Sequence, residues 1–120
     1  MRQSTEVEAA DSPQLRRAFA IIRRDISKST GIEQIAAELG MPRKELNRIA
    51  RQELGHTLTE ELARQRLARA KVLLADTDKT LLAIASETGF CHAAHLANAF
   101  RSAFGITPGR FRKDLFGKRS

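Results

Sequence analysis

The chain has 120 residues, 42% of them hydrophobic, and no tryptophan or tyrosine. Its net charge of +7 at pH 7 favours a polyanionic partner, which is either nucleic acid or an anionic membrane surface. The single cysteine, Cys91, excludes an internal disulfide, and no apolar run reaches the ~20 residues that span a bilayer, so we expect a cytoplasmic protein outside the membrane.

The first half of the chain predicts three helices. Residues 1–11 are polar and aperiodic, which indicates a tail or linker end. Ser12 and Pro13 have the residue types of an N-cap and a first helical position, and the apolar periodicity predicts an amphipathic helix over 14–27. A capping box at Thr30 and Glu33 predicts a second helix. The second and third helices are expected over 32–39 and 42–54, and Gly40 and Gly55 end them.

The second half predicts four more helices. Thr57 and Glu60 form another capping box ahead of a longer helix over 58–75. Thr80 caps a helix that Gly89 ends, and the helix after it places Leu96, Phe100 and Phe104 inward. Thr107 and Pro108 open a last helix that runs to about Phe116.

An internal repeat connects the two halves. Ile35, Ala36 and Gly40 recur 49 residues later as Ile84, Ala85 and Gly89. Leu46, Leu54, Gly55 and Thr57 recur 50 residues later as Leu96, Phe104, Gly105 and Thr107. The sequence therefore predicts an all-α fold of about seven helices, in which two helix-turn-helix subdomains are joined by a long linker helix. The expected boundaries are a tail at 1–11, subdomains at 12–56 and 77–116, the linker helix at 57–76 and a tail at 117–120.

The repeated pattern of helix, glycine turn and helix is the layout of a DNA-binding helix-turn-helix. Its second helix, here called the reading helix, enters the major groove while the first helix braces it. A linker helix of about 17 residues is roughly 26 Å long, close to the roughly 34 Å between successive major-groove faces. The sequence therefore predicts that the two reading helices bind a bipartite site on double-stranded DNA. The alternative is a basic helical bundle that binds an acidic protein without reading DNA.

Residues from about Ser12 to Leu115 carry a family resemblance. The matching positions are Arg66-Leu67, Ala70, Leu73-Leu74, Ile84-Ala85, Gly89-Phe90, Phe100, Phe104-Gly105, Thr107-Pro108 and Phe111-Arg112. In these positions the chain resembles the C-terminal DNA-binding domain of AraC/XylS-family transcription regulators. The resemblance implies transcription regulation, often through contact with RNA polymerase. The residue pattern over 60–77 is similar to that of xylose-operon regulators. This similarity implies a fused or separate effector-binding domain with a sugar ligand.

The chain departs from the family pattern at both reading helices and at the linker helix. Pro42 replaces the usual serine N-cap, and Leu58 stands where proline is common. The residues expected to face DNA bases are Arg43, Lys44, Asn47 and Arg48 in the first reading helix, and Ala93, Ala94, His95, Ala97 and Asn98 in the second.

Side-chain chemistry ranks these candidates. Arg48 can pair bidentately with guanine and Asn47 with adenine, although a phosphate or solvent role for Arg48 stays open. Alanine offers only its methyl group to thymine, so His95 and Asn98 carry most of the second readout, and we expect the first half-site to be stricter. Phosphate contacts, or a plain surface role, are expected for Thr30, Arg51, Thr57, Thr80, Thr107, Arg110, Arg112 and Lys113.

Other functions find less support in the sequence. Cys91, His92 and His95 have a spacing that a metal site could use, but no further ligand cluster exists, so we expect no metal and no cofactor. A redox-sensitive thiol at Cys91 stays open. The sequence has no phosphate loop, paired carboxylates or nucleophile setting, and we expect no enzyme.

Overall fold

The computed structural model describes residues 12–28 and 30–119, and within them it contains seven α-helices and no β-strand. The helices are α1 (Pro13–Arg24), α2 (Ile32–Leu39), α3 (Arg43–Leu54), α4 (Leu58–Asp76), α5 (Leu81–Glu87), α6 (Ala93–Phe104) and α7 (Pro108–Arg119). The predicted all-α fold of about seven helices is confirmed. Helix α7 continues past its predicted end, and the predicted tail at 1–11 lies outside the described residues.

Tertiary contacts group the described residues into two compact units. The first unit comprises residues 12–25 and 30–63, and the second comprises residues 26–28 and 64–119. Helix α4 contributes its N-terminal end to the first unit and the rest of its length to the second. The subdomain boundaries drawn from the sequence stay a prediction.

The first unit is organised around α1, which contacts both α2 and α3. Ser12 caps α1 by accepting a hydrogen bond from the Leu15 N–H at 3.1 Å, and Pro13 is its first residue, as predicted. The Ser12 N–H donates in turn to a carboxylate oxygen of Glu53 on α3 at 2.9 Å. The buried apolar residues of the unit are Leu15, Ala18, Phe19, Ile21, Ile22, Ile32, Ile35, Ala36, Leu46, Ala50, Leu58 and Leu62.

One predicted helix end and one predicted N-cap are wrong. Helix α1 ends at Arg24, and the Asp25 N–H donates to the Ile21 carbonyl at 2.9 Å. The residues after it, 26–28, leave the helix and pack in the second unit. Helix α2 is capped at Gly31, since the Gln34 side chain accepts a hydrogen bond from the Gly31 N–H at 2.8 Å. Thr30 is therefore not the N-cap.

The second unit packs α4, α5 and α6 around one apolar cluster. Its buried members are Leu67, Ala70, Leu73, Leu74, Ile84, Ala85, Phe90, Leu96 and Phe100. Phe104 was predicted to point inward, but its side chain is 41% exposed. Its ring meets Phe100 at 4.6 Å between centroids, and the Lys71 ammonium lies 4.7 Å from its centroid. A cation–π contact therefore covers part of an aromatic ring in the last turn of α6.

Gly89 allows a close approach between two backbone segments of the second unit. Its φ is +84°, in the left-handed region that favours glycine. A Cβ atom at this position would lie 2.8 Å from the Lys28 carbonyl oxygen and 2.9 Å from that of Ile26. Both neighbours are backbone atoms that cannot swing aside, so residues 26–28 can pack on this turn only because it carries no side chain.

Gly89→Ala should destabilise the second unit more than Gly105→Ala does. Gly105 has the same φ of +84° but open space around it, so its substitution should cost about 1–2 kcal/mol for backbone strain alone. Gly89→Ala adds a steric clash, which should cost about 1–3 kcal/mol more. Urea unfolding of both variants measures the difference. Equal losses would show that the close approach is unimportant.

Candidate DNA interface

The first helix-turn-helix is formed by α2, a tight turn and α3. Gly40 at the turn has a φ of +72°. The N–H groups of Gly40 and Met41 donate to the carbonyls of Ala37 and Ala36, both at 3.1 Å. These bonds satisfy carbonyls at the end of α2 and redirect the chain into α3. Leu46 and Ala50 are the buried residues of α3.

The opposite face of α3 is basic. Arg43, Lys44, Arg48 and Arg51 are all exposed along it. Arg43 lies 3.3 Å from the Glu33 carboxylate of α2, and Arg48 forms an ion pair with Glu45 one turn earlier on its own helix. The hydrogen bond from Arg48 holds the pKa of Glu45 below its usual value. Such exposed pairs add little stability to the fold.

Asn47 has a structural role that the sequence did not indicate. Its side-chain oxygen accepts a hydrogen bond at 2.9 Å from the N–H of Leu58, the first residue of α4. A proline at this position would have no N–H, whereas leucine brings a donor that needs an acceptor. Bidentate pairing with adenine needs the same amide oxygen. Base reading by Asn47 therefore stays a prediction, and it competes with this cap for the amide oxygen.

Asn47→Ala should lower the free energy of unfolding by about 1 kcal/mol because the Leu58 N–H loses its acceptor. Asn47→Asp should stay close to the wild type, since a carboxylate accepts the same bond and suits a helix N-terminus. Gln52→Ala on the exposed face of α3 is the control. Chemical denaturation ranks the variants, and equal destabilisation by Asp and Ala would contradict the capping role.

The second reading helix, α6, is built differently at its start. His92 is its N-cap, and the imidazole Nδ1 accepts a hydrogen bond from the His95 N–H at 3.2 Å. Sequence reasoning did not recognise this cap, because histidine is not among the common capping residues. The His95 ring packs edge-on against Phe90, with centroids 5.1 Å apart. His95 is thereby oriented at the first turn of α6.

The remaining base-reading candidates of α6 lie on its outer side. Ala94, His95 and Asn98 are exposed, and Ala93 and Ala97 are half-buried. Leu96 and Phe100 form the buried side of the helix. The outer side of α6 therefore carries smaller and less charged side chains than the exposed face of α3.

The threonines predicted to open helices have the expected capping contacts in three of the four cases. The hydroxyls of Thr57, Thr80 and Thr107 accept hydrogen bonds from the N–H groups of Glu60, Ala83 and Arg110 at 3.0, 3.1 and 3.2 Å. Glu60 completes the predicted capping box by accepting from the Thr57 N–H at 2.8 Å. Contact of these helix ends with phosphate stays a prediction.

Arg112 is directed into the protein. Its guanidinium donates to the carbonyls of Leu74, Thr77 and Lys79 at 3.2, 3.1 and 2.6 Å. These carbonyls belong to the last turns of α4 and the segment after it, where a cation is favoured by the helix dipole. Arg112 thus fastens α7 to the end of α4, and its contact with phosphate stays a prediction.

Arg112→Ala should destabilise the second unit by about 2–3 kcal/mol because charged hydrogen bonds to backbone carbonyls are lost. Arg110→Ala removes the same charge from α7 but breaks only an exposed pair with Asp114, so it should cost under about 1 kcal/mol. Thermal unfolding followed by circular dichroism compares the two. Similar midpoints would mean that Arg112 does not hold α7.

The comparisons with known proteins agree with this geometry. A family model described as a helix-turn-helix domain matches residues 35–114. The HTH-type transcriptional regulator ArgR of Pseudomonas aeruginosa is 30% identical over 105 residues, which cover 88% of this chain and 32% of that protein. An AraC-type DNA-binding protein structure from Chromobacterium violaceum has a TM-score of 0.76 at 30% identity, covering 86% of this chain and 92% of the other.

A further structure is the DNA-binding domain of the global transcriptional factor AdpA in complex with a target DNA. It has a TM-score of 0.83 at 26% identity and covers 90% of this chain and 97% of that one. The class is therefore a helix-turn-helix protein with two such units. The chain belongs to the AraC-type family of helix-turn-helix transcription regulators.

The chain spans about a third of the length of the curated relatives that it matches. The xylose operon regulatory protein of Escherichia coli is among them, at 24% identity over 111 residues, which cover 92% of this chain and 28% of that protein. Its identity is lower than that of ArgR, so the similarity does not single out a xylose regulator. In the part of the chain that the structure describes, no helix is both long and apolar enough to cross a membrane.

Proposed function

We propose that this chain binds double-stranded DNA at specific sequences and thereby regulates transcription. The observation that carries the proposal is the exposed basic face of α3, which a buried apolar side and a glycine turn hold in place. An α-helix presented in this way fits the major groove. The likeness to the AdpA domain, whose structure contains a target DNA, supports the same reading.

The two reading helices have unequal roles in this proposal. Arg48 contacts a guanine, and Arg43 and Lys44 contact bases or phosphates near the start of α3. Arg51, Arg110, Lys113 and the capped helix ends at Thr57, Thr80 and Thr107 face phosphates. In α6, His95 and Asn98 make the polar base contacts, and the methyl groups of Ala93, Ala94 and Ala97 lie against thymine.

The proposed activity is binding, with no chemical step and no cofactor. It takes place in the cytoplasm, where the DNA of a bacterial regulator lies. RNA polymerase is the proposed protein partner. An effector-binding domain, fused or separate, supplies the signal, and a sugar is the ligand if the similarity to xylose regulators extends to function.

Selection of bound duplexes from a random pool at near-physiological salt tests the proposal. The wild type should enrich a bipartite motif. Arg48→Ala should lower the preference for guanine at one position of that motif by about 1–3 kcal/mol. Arg23→Ala, which removes an equal charge from an exposed position of α1, should leave the motif unchanged. A pool that enriches no motif, with binding that fades uniformly as salt rises, would favour the basic protein-interaction module instead.

A further inference from the structure

The ion pair between Glu45 and Arg48 engages only one side of the guanidinium. Arg48 Nε donates to Glu45 Oε1 at 3.0 Å, and Arg48 Nη2 donates to Glu45 Oε2. This is side-on, bidentate pairing, which fixes the plane of the guanidinium as well as its position. The end-on edge, formed by Nη1 and Nη2, still carries two N–H groups that point away from Glu45.

A guanine in the major groove presents two acceptors, O6 and N7, that match two parallel N–H groups of an arginine. The pair also stands in the right part of the helix. Glu45 and Arg48 lie in the first two turns of α3, the half of a reading helix that contacts base edges. Both side chains are about half exposed, so the guanidinium edge that Glu45 leaves open is accessible to a ligand.

We propose that Glu45 is a positioning residue for base recognition, whose carboxylate holds the Arg48 guanidinium side-on so that its end-on edge meets guanine. The inference rests on the proposed function, because it needs Arg48 to read a base. Without such a partner a long arginine side chain samples many rotamers and can turn to a phosphate. The carboxylate also repels the DNA backbone, so it lowers affinity for DNA of any sequence while favouring the guanine.

The second unit provides an internal comparison. At the positions 50 residues later in the repeat stand His95 and Asn98. Asparagine is neutral and carries no guanidinium, so no pair of this kind can form on α6. The positioning effect is therefore confined to the half-site that α3 contacts.

The experiment measures equilibrium binding of the full chain to the duplex that the wild type enriches, to versions with the guanine replaced, and to random duplex. Glu45→Ala is compared with Glu33→Ala, which removes the same charge from an exposed residue of α2 that pairs with Arg43. Arg48→Ala and the double variant Glu45→Ala, Arg48→Ala complete a cycle.

Glu45→Ala should reduce the preference for guanine by about 2- to 10-fold, as expected when one side chain must be ordered on binding. It should also strengthen binding to random duplex. Glu33→Ala should strengthen that binding to a similar degree and leave the guanine preference unchanged. In the Arg48→Ala background, Glu45→Ala should change no base preference.

Three results overturn the inference in distinguishable ways. If Arg48→Ala removes the guanine preference but Glu45→Ala leaves it intact, Arg48 reads DNA without help and only the positioning role fails. If Arg48→Ala changes no base preference, the proposed reading by Arg48 itself fails. If Glu45→Ala relaxes a cytosine preference even without Arg48, Glu45 contacts the cytosine amino group directly.

Discussion

Helix length is the constraint on which this structure depends. Six of the seven helices in the described residues have 12 residues or fewer, and helices of that length are marginal in water alone. Five of these six helices bury apolar residues against their neighbours, and this burial supplies stability that their length alone does not. Small residues at the crossings, Ala36 in one unit and Ala85 in the other, are buried there and let the short helices approach closely.

This mode of stabilisation leaves one side of each reading helix available. In α3 the buried side holds the helix by Leu46 and Ala50, and Asn47 ties it to the start of α4. None of these contacts uses Arg43, Lys44 or Arg48. In the second unit, Arg112 fastens α7 to the end of α4 in a comparable way. The residues that hold α3 in place are thus different from the exposed residues that are available to contact DNA.

Features that depend on neighbours in the sequence were predictable. The caps at Ser12, Thr57, Thr80 and Thr107 involve a partner three residues away, and all four are present. The N-cap predicted at Thr30 lies instead at Gly31, because Gln34, one residue beyond Glu33, supplies the acceptor for the Gly31 N–H. The all-α class and the two helix-turn-helix units followed from the glycine turns and the repeat.

Features that depend on distant partners were not predictable. Asn47 meets a donor 11 residues away and Arg112 meets a carbonyl 38 residues away, and neither pairing leaves a periodic signal. Helix α1 stops short because residues 26–28 pack against Gly89, a contact that lies outside its own pattern. The pair of Glu45 and Arg48 did have a signal in its three-residue spacing on a helix, but only the structure shows which guanidinium edge is engaged.

The repeat has a consequence for how such a chain changes over generations. The residues that hold α3 and α6 correspond, as Leu46 and Leu96 do, while Arg43 and Lys44 of α3 correspond to Ala93 and Ala94 of α6. Because both copies lie on one polypeptide, a mutation can change the outward face of one reading helix and leave the other unchanged. In a symmetric dimer of identical chains, every mutation changes both reading helices. Under the proposed function, the bases of one half-site can change while contacts with the other half-site still bind the regulator.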